Sequence, residues 1–143
     1  MRTQSNKQRM NTVQSSRPPR ILIVEDELLV RMFAVDTLED AGFEIAQAGD
    51  AAEALSLLNA DGASDLVGIV IDLGLPDRAG DQLAAEIRAM RPDVPIVIAS
   101  GRSERELKER FSADQRVALL VKPYTSTLLL DALESLGVQV SGL

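Results

Sequence analysis

Five short apolar runs, each separated from the next by a stretch of helical spacing, constrain this chain more than any other feature. The runs fall at residues 21–24, 43–48, 66–71, 95–99 and 117–121, lengths that suit strands buried on both faces. Over residues 28–41, Leu28, Leu29, Met32, Phe33, Val35 and Leu38 form an apolar helical stripe that stops at Gly42. Asp50 and Glu53 have capping-box spacing and open a second helix through Leu58. A third spans residues 80–90 and is ended by Arg91 and Pro92. Ser103 and Glu106 form another capping box, but the helix behind it has only Leu107 and Phe111 to bury and is weakly held. The fifth follows Thr125, with Leu129, Ala132, Leu133 and Leu136 on one stripe and Gly137 beyond it. Leu128 and Leu130 flank that stripe and read as margins of the core. Strict alternation of strand and helix predicts a doubly wound α/β fold, because each crossover helix must pack back against a parallel sheet.

At 143 residues the chain has room for one such domain, and its 45% apolar and 26% charged residues suit a globular protein. It contains no cysteine and no histidine, which removes thiol catalysis, disulfides, Cys/His zinc sites and any histidine base. Oxygen and lysine chemistry remain. Residues 1–20 carry five basic side chains and no acid, whereas the other 123 hold ten basic against 22 acidic, a net of −12. That acidic body argues against nucleic-acid or membrane binding as the main activity. No apolar run is long enough to span a bilayer, and no signal-peptide core follows the basic start, so a cytoplasmic protein is expected. Residues 1–19 read as a disordered basic leader, residues 20–137 as the folded domain and residues 138–143 as a short tail.

In open α/β sheets ligands bind beyond the carboxyl ends of the strands. Glu25 and Asp26 follow the first run, Asp72 the third, Ser100 and Gly101 the fourth, and Lys122 and Pro123 the fifth. Carboxylates brought together at adjacent strand ends repel one another, raise their pKa values and call for a hard cation such as Mg²⁺. With Lys122 as a fixed positive charge and the Ser100 hydroxyl as a donor, such a site suits a transferring phosphoryl group, with Asp72 as nucleophile.

These residues resemble the receiver domain of two-component response regulators. The matching motifs are the acidic pair closing Ile21-Leu-Ile-Val-Glu25-Asp26, the stretch Ile71-Asp72-Leu-Gly-Leu-Pro76 continuing to Gly80, Ser100-Gly101, and Lys122-Pro123-Tyr124. The resemblance covers residues 20 to about 137 and implies a flavodoxin-like (βα)5 sandwich with strand order 2-1-3-4-5. It further implies that Asp72 is the phosphoacceptor and that Glu25, Asp26, Asp72 and the Gly74 carbonyl hold Mg²⁺. Ser100 would bond the phosphoryl group, Lys122 would pair with it, and the Lys122-Pro123 bond would be cis. The implied partners are a histidine kinase or histidine phosphotransfer protein, a downstream protein on the helix 4, strand 5, helix 5 face, and a second copy in a homodimer. No DNA-binding output domain is expected.

The chain also departs from the family pattern. Leu119 stands where a switching aromatic is usual, Asp81 follows Gly80 instead of an acid preceding it, and Gly74 leaves the acceptor unshielded, with Arg102 placed to reach over it. Three other readings compete. A haloacid-dehalogenase-type hydrolase needs an acid where Gly74 stands, and in a dinucleotide-binding enzyme Glu25-Asp26-Glu27 would repel the pyrophosphate. The third, a receiver-like interaction module independent of phosphorylation, gives little reason to keep the acids, hydroxyl and lysine together.

Overall fold

The computed structural model of the protein describes residues 18–60, 65–101 and 105–140. The leader up to Arg17, Arg102, Ser103 of the predicted capping box and the last three residues lie outside the described residues. The elements alternate as predicted: β1 (Arg20–Val24), α1 (Leu28–Asp40), β2 (Glu44–Ala48), α2 (Ala51–Leu58), β3 (Leu66–Asp72), α3 (Gly80–Met90), β4 (Ile96–Ser100), α4 (Arg105–Arg110), β5 (Val117–Val121) and α5 (Ser126–Ser135). The strands form one parallel sheet of order β2-β1-β3-β4-β5, the flavodoxin-like arrangement. β3 and β4 each run one residue further than the apolar pattern indicates. Pairing decides this, since Asp72 stands opposite Ala99 and Ser100 opposite Val121, which makes both polar residues part of the sheet.

Alternation along each strand divides the core in two. On one face Leu22, Val24, Ile69, Ile71, Ile96 and Ile98 pack under α2, α3 and α4 through Ala54, Leu58, Leu83, Ile87 and Leu107. On the other, Ile21, Ile23, Val70, Val97 and Leu120 meet α1 and α5 through Ala34, Leu38, Leu129 and Leu133. Val138 is buried in this second cluster and Val140 packs against it. α1 and α5 also touch through the Thr37 and Ser126 hydroxyls, 3.1 Å apart.

The helix ends follow local chemistry. Gly42 and Gly137 adopt φ of 99° and 92° just past α1 and α5, a conformation that side chains with a Cβ disfavour. Asp50 accepts from the Glu53 amide at 2.8 Å, while Glu53 reaches back one residue further than a capping box requires and accepts from the Gly49 amide at 2.8 Å. Thr125 caps α5 by accepting from the Leu128 amide at 3.1 Å.

Two packing expectations are corrected. The stripe of α1 that faces the sheet is Ala34, Thr37 and Leu38, whereas Leu28, Leu29, Met32 and Phe33 are 60%, 79%, 52% and 41% exposed. The helix is apolar nearly all round, so periodicity alone could not say which side is inward; the close approach to α5 selects the small residues. Similarly, Leu130 packs against the core but Leu128 is exposed. In α4 Leu107 is buried, and Phe111 just past its end is half-buried, both in the cluster that also takes Leu119.

Candidate functional site at the carboxyl ends of the strands

The fold carries Asp72, Ser100 and Lys122 to the same edge of the sheet, beside the turn that follows β1. Asp72 and Ser100 are 6% and 2% exposed, and Glu25 is 4% exposed, whereas Asp26 stands in solvent. The turn after β1 is fixed at its base, where the Glu25 amide donates to the Ala48 carbonyl at 3.0 Å. One oxygen each from Glu25, Asp26 and Asp72 lies within 4.8 Å of the others. The Lys122 amide donates to the Ser100 carbonyl at 2.8 Å, and the Lys122-Pro123 bond is cis. From there Lys122 Nζ lies 3.0 Å from Asp72 Oδ1, 3.3 Å from Glu27 Oε1 and 3.4 Å from Glu25 Oε1.

The electrostatics follow from this placement. Burial, reinforced by the Asp72 charge, pushes the Glu25 carboxyl up to about 7, although the Glu27 amide and Lys122 pull the other way. The carboxylates around Lys122 push its ammonium above the usual lysine range, against the opposing effect of burial. Burial and the Glu25 charge push the Tyr124 phenol up to about 12. An oxygen-only donor set with one carboxyl held partly protonated by its surroundings fits a small hard divalent cation, which would relieve the repulsion that raises Glu25.

The loop after Asp72 is held at several points. The Leu73 amide donates to the Ala99 carbonyl at 2.8 Å, and the Gly80 amide to the Leu73 carbonyl at 2.7 Å. Gly80 approaches so closely that a Cβ there would stand 2.2 Å from the Asp72 carbonyl oxygen. At Gly74 a Cβ would be 3.8 Å from Asp72 Oδ2, and Gly74 and Asp72 both line an open cleft of about 690 Å³ together with Asp26, Glu27, Leu73, Ser100, Gly101 and Lys122.

Three features were not read from the sequence. Glu27 touches Lys122, a contact its place directly after the acidic pair could have suggested. Asp77 accepts from the first amides of α2, in the manner of a cap supplied by another segment. Beside the cleft lies an apolar groove of about 400 Å³ lined by Leu29, Val30, Phe33, Pro123, Tyr124 and the Lys122 stem, with the Phe33 and Tyr124 rings 6.0 Å apart at 50°. Its signal was the excess of large apolar residues on α1.

The carboxyl edge of this doubly wound sheet thus brings together a buried acid, a buried hydroxyl and a half-buried lysine. Residues 21–134 match the response regulator receiver domain, and the chain belongs to that family. It is 40% identical over 118 residues to the transcriptional regulatory protein PdtaR of Mycobacterium tuberculosis, covering 82% of this chain and 56% of that one. It is 33% identical over 106 residues to the sensor kinase CckA of Brucella abortus, covering 73% of this chain and 11% of the kinase. The chain therefore spans about half the length of PdtaR and a small part of CckA. A crystal structure of a response regulator receiver protein from Sinorhizobium medicae superposes with a TM-score of 0.72 at 32% identity, covering 85% of this chain and 95% of that one. Among the described residues no helix is long and apolar enough to cross a membrane.

Proposed function

We propose that this receiver domain accepts a phosphoryl group on Asp72 from a phosphohistidine of a histidine kinase or histidine phosphotransfer protein, in the cytoplasm. The observation that carries this reading is the buried Asp72 carboxylate, with one oxygen on Lys122 Nζ at 3.0 Å and the residue lining the open cleft beside Gly74. Asp72 Oδ2 attacks phosphorus in line; the new P–O bond forms as the P–N bond breaks, and its electron pair leaves on the imidazole nitrogen. Lys122 meets the charge that builds on the phosphoryl oxygens, and the Ser100 hydroxyl, at the end of β4, turns to donate to one of them. Glu25, Asp26, Asp72 and the Gly74 carbonyl would hold Mg²⁺, which when bound supplies charge neutralisation on the phosphoryl oxygens. The same groups, with water in place of imidazole, would return the protein to its starting state, so the chain promotes both gain and loss of its own phosphate.

The exposed apolar side of α1, running beside the cleft to Tyr124, gives a donor protein surface to bury while its phosphohistidine reaches Asp72. Exposed Val121 and Leu128 support the α4, β5 and α5 face as the surface for a downstream protein or a second copy. The test is intact-mass measurement with acetyl phosphate and Mg²⁺. The wild type gains one acid-labile phosphate and Asp72→Asn gains none; uptake by Asp72→Asn, or none by the wild type, defeats the assignment. The second result would leave an interaction module that works without phosphorylation.

A further inference from the structure

Lys122 is held by more carboxylates than the transfer requires. An ammonium has three N–H donors, and three acids surround this one. They differ in what they can give up. Asp72 is the acceptor itself. Glu25 is buried and its second oxygen accepts from the Glu27 amide at 3.1 Å, so its orientation is fixed. Glu27, with a side chain 63% exposed, can exchange the lysine for water at little cost.

The position of Glu27 sharpens the point. It is the N-cap residue of α1, where short side chains such as Asp or Ser are the usual acceptors for the helix's first amides, and the longer Glu27 side chain makes no capping hydrogen bond. It is turned to the lysine instead, with Oε1 3.3 Å from Nζ. A capping role therefore does not account for it.

On the phosphoacceptor reading above, we propose that Glu27 is a positioning residue acting through Lys122: it holds the ammonium at the cleft mouth before phosphorylation and competes for it with the incoming phosphoryl group. Glu27 thereby restrains uptake in two ways that act together. It occupies the hydrogen-bond donor most easily released to a phosphoryl oxygen, and it sets a negative charge at the entrance that a doubly charged donor must approach. Both effects involve an exposed charge and weaken as salt rises.

The experiment compares phosphate uptake from subsaturating acetyl phosphate with Mg²⁺ in wild type, Glu27→Gln and Glu27→Asp, at low and high salt. Glu27→Gln keeps the shape and removes the charge, and its uptake should be faster than wild type by about threefold or more at low salt. The advantage should shrink toward parity at about 0.5 M salt, where the screening length is only a few ångströms. Glu27→Asp keeps the charge and should follow the salt dependence of the wild type. Melting temperatures of the three proteins report whether a rate change is merely structural. Uptake by Glu27→Gln equal to or slower than wild type at low salt, or an advantage insensitive to salt, overturns the proposal while leaving Asp72 as acceptor. No uptake by the wild type overturns the phosphoacceptor reading and this proposal with it.

Discussion

Asp77 and Ala51 stand 26 residues apart, yet the Asp77 carboxylate accepts from the Ala51 amide through Oδ1 at 2.9 Å. Its other oxygen accepts from Ala52 at 2.9 Å, so one side chain satisfies two of the free amides that begin α2. Asp77 lies in the loop leaving Asp72, and this pair of bonds ties that loop to a helix on the neighbouring part of the sheet.

The two amides hold the Asp77 carboxyl below the usual aspartate range. A lowered folded-state pKa contributes stability that is complete above the unfolded value and is lost as pH falls through the folded one. Asp77→Ala should therefore melt a few degrees below wild type at neutral pH, with the gap closing as pH falls below the ordinary aspartate range. Thermal melts across an acid series check this, and a gap independent of pH would assign the loss to something other than the carboxylate.

For Glu25 the sign is opposite. Its carboxyl is raised from 4.5 to about 7, so the folded, metal-free protein holds a proton that the unfolded chain has released between those values. Stability from this group falls as pH rises through that window. Glu25→Gln should stabilise the metal-free protein at pH 8 relative to wild type by on the order of 1 kcal/mol after solvent screening, and should lose most of any stabilisation by Mg²⁺. Melting curves at pH 5 and 8, with and without the ion, measure both effects.

Gly80→Ala tests the close approach behind Asp72. A methyl group 2.2 Å from the Asp72 carbonyl oxygen cannot be accommodated without moving β3 or the start of α3. The expected cost is about 1–3 kcal/mol from overpacking, and phosphate uptake at Asp72 should fall by about tenfold or more as the carboxylate is displaced. Denaturant melts and intact-mass kinetics separate the two consequences.

Leu29→Ser addresses the outward side of α1. Leu29 is 79% exposed, so its replacement should alter stability by less than about 0.5 kcal/mol. Transfer from a phosphohistidine protein should slow more than uptake from acetyl phosphate, because only the protein donor has a surface to bury there. Equal slowing with both donors would remove α1 from the docking surface.

The fold was legible because its central strands are apolar on both faces and the chain is punctuated by Gly42, Asp50, Pro92 and Gly137, signals that depend on near neighbours alone. The grouping of Glu25, Asp26, Asp72, Ser100 and Lys122 was legible because these residues follow strand ends in sequence order. The outward apolar side of α1 was not, since its direction depends on Ala34 and Thr37 meeting α5. Asp77 and Glu27 were missed for a similar reason: each bonds a partner brought close only by the completed fold, Ala51 for one and Lys122 for the other. Helix α4 lies between these cases, since Leu107 and Phe111 were identified from spacing, whereas the Arg110 ion pair with Asp81 required the fold.

Among the described residues β3, with Asp72 at its end, is paired on both sides, whereas β5, which leads into Lys122, is paired with β4 alone. The carboxylate thus belongs to the stiff middle of the sheet and its cation to the border, where bending costs fewer hydrogen bonds. A change of charge at Asp72 would therefore be met on its own strand by pairing on both sides and, across the contact with Lys122, by a strand held from one side.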